Sequence, residues 1–245
     1  MKFNFHIVFI LLGMLSLLLG SLAGVLISLV YIFPDLFDEF FSFPQLRPMH
    51  TTFVISWVIL TVTGCIYYYI TKVENIKIFS IILGKIHLLV FSLTGLGILV
   101  SFFVGRMGGR EYLEFFPLLT IPILLGWVLF GFNYFTTLLS KFKSWPVYYW
   151  MWGVGIIFMT YHLAESHFWI FSSFRNDFIK DFGVQWKSYG SFVGSWNMLV
   201  YGTAIFLMTK VKDDVNVAYG KKTFFFFFLG LINLMFGWAH HTYIL

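Results

Sequence analysis

The sequence predicts an all-α, polytopic membrane bundle of about seven transmembrane helices, with the N-terminus inside and the C-terminus outside. Three observations predict it. Of the 245 residues, 59% are hydrophobic, 22% aromatic and only 11% charged, and the mean hydropathy is +0.84, too apolar for a soluble domain of this size. The apolar residues gather in runs of about 20, long enough to cross a hydrocarbon layer roughly 30 Å thick as helices. The basic residues between those runs favour alternate loops.

The runs place spans at about 5–32, 48–70, 77–104, 117–139, 145–172, 188–209 and 222–243. The first run follows Met1-Lys2 and is far longer than the apolar core of a secretion signal. Pro34 and an acidic stretch come after it, not a small-residue cleavage site, so this span is expected to be retained. With the N-terminus inside, the inner loops and span ends collect Lys2, Lys72, Lys77, Lys85, Lys141, Lys143, Lys210, Lys212, Lys221 and Lys222. The other side receives Arg47, Arg106, Arg110, Arg175, Lys180 and Lys187, diluted by Asp35, Asp38, Glu39, Glu111, Glu114, Asp177 and Asp181. That asymmetry sets the orientation. Short loops, and the lack of a linker or a fixed-period repeat, predict that residues 1–245 form a single transmembrane domain. The run Phe224 to Phe228 is expected to be apolar filler facing lipid.

Composition also narrows the chemistry. The net charge of +5 is almost all loop lysine, so the expected surroundings are a lipid bilayer and no nucleic acid. The single cysteine, Cys65, lies inside an apolar run, which leaves any metal to histidines and carboxylates. Ionisable groups within membrane spans are costly, and each is a candidate for function unless a neighbouring helix satisfies it. The candidates are His50, His87, His162, Glu165, His167, His240 and His241.

His50 near the start of the second span and His240-His241 at the end of the seventh fall on the same, outer, side in this topology. Imidazole suits heme iron and copper, and an adjacent pair at a helix end can aim two rings at one metal. The plainer alternative is hydrogen bonding at the headgroup level. His162 and Glu165 are three residues apart on one helix face, which allows a proton relay or a structural hydrogen bond. His87, beside Lys85, reads as an interfacial anchor. The loop Gly105-Arg106-Met107-Gly108-Gly109-Arg110-Glu111-Tyr112-Leu113-Glu114 is the most polar outer segment, with glycines for tight turns, arginines for gripping carboxylates and glutamates for a hard cation such as calcium.

Three of these stretches resemble the catalytic subunit of heme-copper oxidases, in the branch of the cbb-type cytochrome c oxidases and bacterial nitric oxide reductases. Leu46-Arg47-Pro48-Met49-His50-Thr51 is similar to the start of the family's helix two. The resemblance implies that His50 is an axial ligand of a low-spin heme b. Gly109-Arg110-Glu111-Tyr112-Leu113-Glu114 resembles the loop after helix three, which implies calcium and heme-propionate binding at Arg110, Glu111 and Glu114. Gly237-Trp238-Ala239-His240-His241-Thr242-Tyr243 resembles the helix-seven motif, which implies that His240 and His241 ligate a second metal, copper or non-heme iron. The motifs occur in family order, and the resemblance covers essentially the whole chain, corresponding to the first seven of the family's twelve helices.

Some features depart from the family pattern. Where the family carries a third metal-ligating histidine on helix six, this chain offers Tyr189 or Ser191, which makes the second metal doubtful. Tyr219 lies near, but one position out of register with, the tyrosine of the oxidase helix seven. The sequence given also stops at Leu245, before the family's helix ten. The resemblance therefore implies a respiratory oxidoreductase of the bacterial inner membrane that reduces oxygen or nitric oxide. Its electrons would come from cytochrome c or quinol, and other membrane subunits, a second chain or the remainder of a longer protein would complete the bundle. Two further readings are a heme-binding protein without the binuclear chemistry and a structural or assembly subunit of a respiratory complex.

Overall fold

The computed structural model describes residues 4–37, 42–139 and 144–239. Among the described residues every regular element is helical, and the sole extended pairing is an antiparallel bridge between Met107 and Phe115. The elements are α1 (Phe5–Ile32), α2 (Phe43–Tyr68), α3 (Ile81–Phe103), α4 (Thr120–Leu139), α5 (Val147–Glu165), α6 (Ser172–Arg175), α7 (Phe178–Phe182), α8 (Tyr189–Lys212), α9 (Asn216–Tyr219) and α10 (Lys221–Phe236). A π-helical turn, Tyr69–Val73, extends α2, and another, Gly183–Ser188, joins α7 to α8.

Six helical stretches among the described residues are long and apolar enough to cross a membrane: 5–32, 43–73, 81–103, 117–139, 178–212 and 221–239. The remaining span read from the sequence is α5, a 19-residue helix carrying three tyrosines, two tryptophans and His162, which dilute its apolar character. Burial within the protein lets it carry Tyr148, Tyr149, Trp152 and His162, whereas Trp150 and Tyr161 are exposed. Val147, Tyr149, Met151, Trp152, Ile156 and Met159 are each no more than 1% exposed. The all-helical membrane bundle is therefore as expected, with span edges that moved.

Each moved edge has a local cause. The second span begins at Phe43, not 48, because Pro44 stands in the first helical turn, where its missing N–H leaves no bond unmade. The polar Gln45 that interrupts the apolar run is also satisfied, its Nε2 donating to the Phe102 carbonyl at 2.9 Å. The third span begins at Ile81, later than 77, because Ser80 caps it and accepts from the Leu83 N–H at 3.2 Å. Asn133 of α4 fixes that cap, accepting from the Ser80 N–H and donating to the Ser80 carbonyl. The sixth of the seven spans runs from Phe178 to Lys212 through the π turn, and the seventh begins after Gly220. Of the phenylalanine run, Phe225, Phe226 and Phe228 are exposed as filler should be, whereas Phe227 turns inward and is 7% exposed.

The described chain forms two compact units. The first comprises the described residues up to Val73 together with Lys85–Ile123, and the second comprises Glu74–Gly84 with the described residues from Leu124 onward. In the first, α1 and α2 pack along their length through small residues, the usual device for close helix approach in lipid. A Cβ on Gly64 would come within 2.8 Å of the His6 carbonyl oxygen and 2.9 Å of the Ile10 nitrogen. In the second, α5 packs against α8, where the Trp152 Nε1 donates to Thr203 Oγ1 at 3.2 Å and Tyr148 meets Phe206 edge to face. Helix α10 lies along α8, and Gly190 abuts the backbone of Trp238.

Candidate functional site

His50 sits two turns into α2, partly buried against α1. Its Nδ1 lies 2.8 Å from the carbonyl oxygen of Gly20. A carbonyl only accepts, so Nδ1 must carry the proton, and in the neutral ring the lone pair is left on Nε2. The close approach depends on glycine. A Cβ on Gly24, one turn along α1, would stand 3.0 Å from His50 Nδ1 and Cε1. The sequence therefore sets both the position and the tautomer of this imidazole, an arrangement that orients ligating histidines generally.

One turn before His50, Arg47 reaches the loop that follows α3. Its Nη1 is 2.7 Å from Glu114 Oε1 and its Nη2 3.1 Å from Glu111 Oε1. The loop brings these carboxylates together by backbone geometry that few residue types tolerate. Gly105 and Gly108 take positive φ of 66° and 143°, and Tyr112 also has φ of 67°. At Gly109 the Leu113 carbonyl lies where a side chain would begin, so only glycine fits. Glu114 Oε2 is buried and has no hydrogen-bond partner. Burial, the largest influence, raises the Glu114 carboxyl above its ordinary value; Arg47 opposes the rise and Glu111 adds to it. An under-satisfied buried carboxylate oxygen beside a second carboxylate suits a cation, and Arg47 supplies one from within the chain.

In the second unit, His162 and Glu165 make the contact their spacing allows, with His162 Nδ1 2.8 Å from Glu165 Oε2. Lys187, in the π turn before α8, completes a chain that the sequence did not suggest. Its Nζ donates to Glu165 Oε1 at 2.6 Å. A segment 22 residues away along the chain has no sequence periodicity tying it to α5, so this partner was illegible without the fold. His167 is buried, its Nδ1 near the Leu163 carbonyl and the Ser166 hydroxyl.

At the helix-six place, Tyr189 and Ser191 are both buried near the start of α8, 4% and 1% exposed. No group of three or more His, Cys, Asp or Glu able to hold a metal occurs among the described residues. His240 and His241 lie outside the described residues. The second-metal pair implied by the resemblance thus falls outside the described part.

One sequence reading is corrected by the structure. His87 is not an interfacial anchor. It is fully buried in the first unit, 4.9 Å ring to ring from Phe9 and 4.4 Å from Phe91, with the Tyr67 hydroxyl 3.4 Å from its Nδ1. The beginning of α3 places it against α1 and α2, where apolar rings exclude water. Tyr219 stands outside the last span, as the reading of that span at 222–243 has it. It ends the short helix α9, is 44% exposed and precedes α10. A buried histidine that the reading passed over is His6, in the first turn of α1, with neither ring nitrogen hydrogen-bonded. The rule applied to the other intramembrane histidines would have flagged it.

Fold and site define a multi-pass helical membrane protein with a pre-oriented histidine on its second span and a carboxylate loop beside it. The chain belongs to the heme-copper oxidase subunit I family, matching the family model described as "Cytochrome C and Quinol oxidase polypeptide I" over residues 4–245. It is 24% identical over 238 residues to a nitric oxide reductase subunit of Stutzerimonas stutzeri, a match covering 91% of this chain and 48% of that protein. The chain thus spans about half the length of this curated relative.

Proposed function

We propose that this chain is a heme-bearing electron-transfer protein of the oxidase and nitric oxide reductase type, seated in the bacterial inner membrane, with His50 Nε2 as one axial ligand. The observation that carries the reading is the His50 Nδ1–H bond to the Gly20 carbonyl, which leaves Nε2 as the ligating atom. The residues fit such a group on that ground. Bound there, a heme supplies one-electron oxidation and reduction. Gly20 and Gly24 hold the imidazole plane. Arg47 and Arg110 supply positive charge for propionates, and Glu111 with Glu114 offers oxygen ligands for calcium. Further membrane helices, from a longer polypeptide, a second chain or another membrane subunit, would supply the remaining ligands, and cytochrome c or a quinol would donate electrons towards reduction of oxygen or nitric oxide. His240 and His241 are proposed as pocket or second-metal residues, with copper or non-heme iron as the ion.

The test is a reduced-minus-oxidised optical spectrum of the chain purified in mild detergent, with quantitation of heme, copper and iron, alongside His50→Ala. The expected result is a low-spin heme signal at stoichiometric amount that disappears in the variant while the protein stays in the membrane. A signal that survives in His50→Ala rejects the ligand assignment. The second reading, a structural or assembly subunit that has kept the scaffold and given up the chemistry, draws on the buried Tyr189 and Ser191 at the helix-six place. Absence of heme and metal from the purified chain would favour it.

A further inference from the structure

We infer that His162, Glu165 and Lys187 form a proton-transfer site that connects one membrane surface with the interior of the second unit. Heme binding at His50 is not a premise of this site. The argument starts from a gradient of exposure along three bonded groups. The Lys187 side chain is 43% exposed, the Glu165 side chain 13% and the His162 side chain 5%. The bonds joining them are short, 2.6 Å from Lys187 Nζ to Glu165 Oε1 and 2.8 Å from Glu165 Oε2 to His162 Nδ1. A carboxylate whose two oxygens face opposite ways along that gradient can take a proton on one side and surrender it on the other.

The imidazole gives the site its inward reach. With Nδ1 turned to Glu165, Nε2 lies on the opposite edge of the ring. A proton arriving at Nε2 makes the ring an imidazolium, whose Nδ1 proton then passes to Glu165 Oε2. The neutral glutamic acid releases that proton to water beside Lys187, whose positive charge favours the return to carboxylate. One proton enters the ring, one leaves the carboxyl, and no electron moves. The reverse sequence carries a proton inward.

The charged surroundings are few. The segment packed on the end of α5 contributes Lys187. Preceding it on α7 are Lys180, which pairs with Asp177, and Asp181. The lysines of α8 and α10, Lys210, Lys212, Lys221 and Lys222, stand at the far ends of their helices, since Gly190 at the near end of α8 meets Trp238 beyond the end of α10. Within α5 the ring is flanked by Phe158 and Tyr161, and His167 is turned onto the Leu163 carbonyl. Glu165 is thus the anion bonded to His162, and Lys187 the cation bonded to Glu165.

The test is nitrogen NMR of the full chain in lipid bilayers with labelled histidine, the His162 signals assigned by their loss in His162→Gln. Titrations from about pH 5 to 9 are compared for the unaltered chain, Glu165→Gln and Lys187→Met. Loss of the carboxylate removes the anion bonded to Nδ1 at 2.8 Å, so the His162 midpoint should fall relative to the unaltered chain. Loss of Lys187 removes a competing cation, so the midpoint should rise. These opposite shifts are the expected result. An imidazole that stays neutral throughout in the unaltered chain, or a midpoint indifferent to both substitutions, would overturn the inference and leave a purely structural tie. If Glu165→Gln does not fold, the half-exposed Lys187→Met decides alone: a rise supports the site and no change sinks it.

Discussion

Arg47 holds two carboxylates at once, and one of them is largely buried. The Glu114 carboxyl is raised above its ordinary value by burial, so the folded loop binds this proton more tightly than the unfolded chain does. The sign follows from linkage. Glu114 favours the folded loop fully at pH below the ordinary carboxylate value, and the benefit is lost as pH rises through the raised value. Once the carboxyl ionises, the group that holds it is Arg47. Arg47→Ala is therefore expected to cost little near pH 4 and roughly 1 kcal/mol near pH 7, read as faster amide exchange over residues 104–116 after correction for intrinsic rates. Calcium added at pH 7 should restore protection in the variant. A penalty that is the same at both pH values would show that Arg47 acts through packing alone. The sequence showed Arg47, Glu111 and Glu114 as separate charged residues on one membrane side. It could not show that a tyrosine at positive φ and a glycine with no room for a Cβ would bring both carboxylates onto one guanidinium.

The spans were legible as elements because each buries its backbone bonds within itself, and only helices of sufficient length do that in lipid. Their ends were less legible. Hydropathy falls at Gln45 and Arg47, so the second span seemed to start at 48, yet Pro44 and the Gln45 bond to Phe102 let the helix begin at Phe43. The converse happened at 77–80, where Ile78 and Phe79 stay outside the helix because Asn133 holds Ser80 as its cap. Pairing of helices was not legible at all, since glycines are common in such spans and only the fold shows which ones face a neighbour. Gly64 faces His6 and Ile10 of α1, whereas Gly95 of α3 has no atom within 4 Å of where a Cβ would stand. Gly64→Val is accordingly expected to push α1 from α2 and destabilise the first unit by about 1–3 kcal/mol, measured by denaturant titration in detergent micelles. Gly95→Val should be close to neutral. Equal effects of the two substitutions would mean that α1 and α2 do not meet through Gly64.

For the whole molecule, the membrane itself divides the charge, and orientation is a property no single element carries. The charge rule leads one to expect the loop after the third span outside and the loop before the last span inside. Single cysteines test this directly, because Cys65 lies within α2 and can be replaced by alanine to give a clean background. Arg106 and Lys212 are both exposed and sit in those two loops or at their edges, so Arg106→Cys and Lys212→Cys report opposite sides. A maleimide that cannot cross the membrane is expected to label position 106 in intact cells and position 212 only after the membrane is opened. The reverse pattern would invert the topology and move His50, which lies near the outer end of the second span under the charge rule, to the cytoplasmic side. A heme there would face inner electron carriers, so the donor proposed from outside, a cytochrome c, would be excluded while a quinol drawn from the bilayer would remain. Labelling of both positions in intact cells would contradict the odd number of crossings between them, and with it the assignment of α5 as a membrane span. That outcome is the one that would most change the reading of the second unit, since the His162–Glu165–Lys187 chain draws its inward direction from α5 crossing the bilayer.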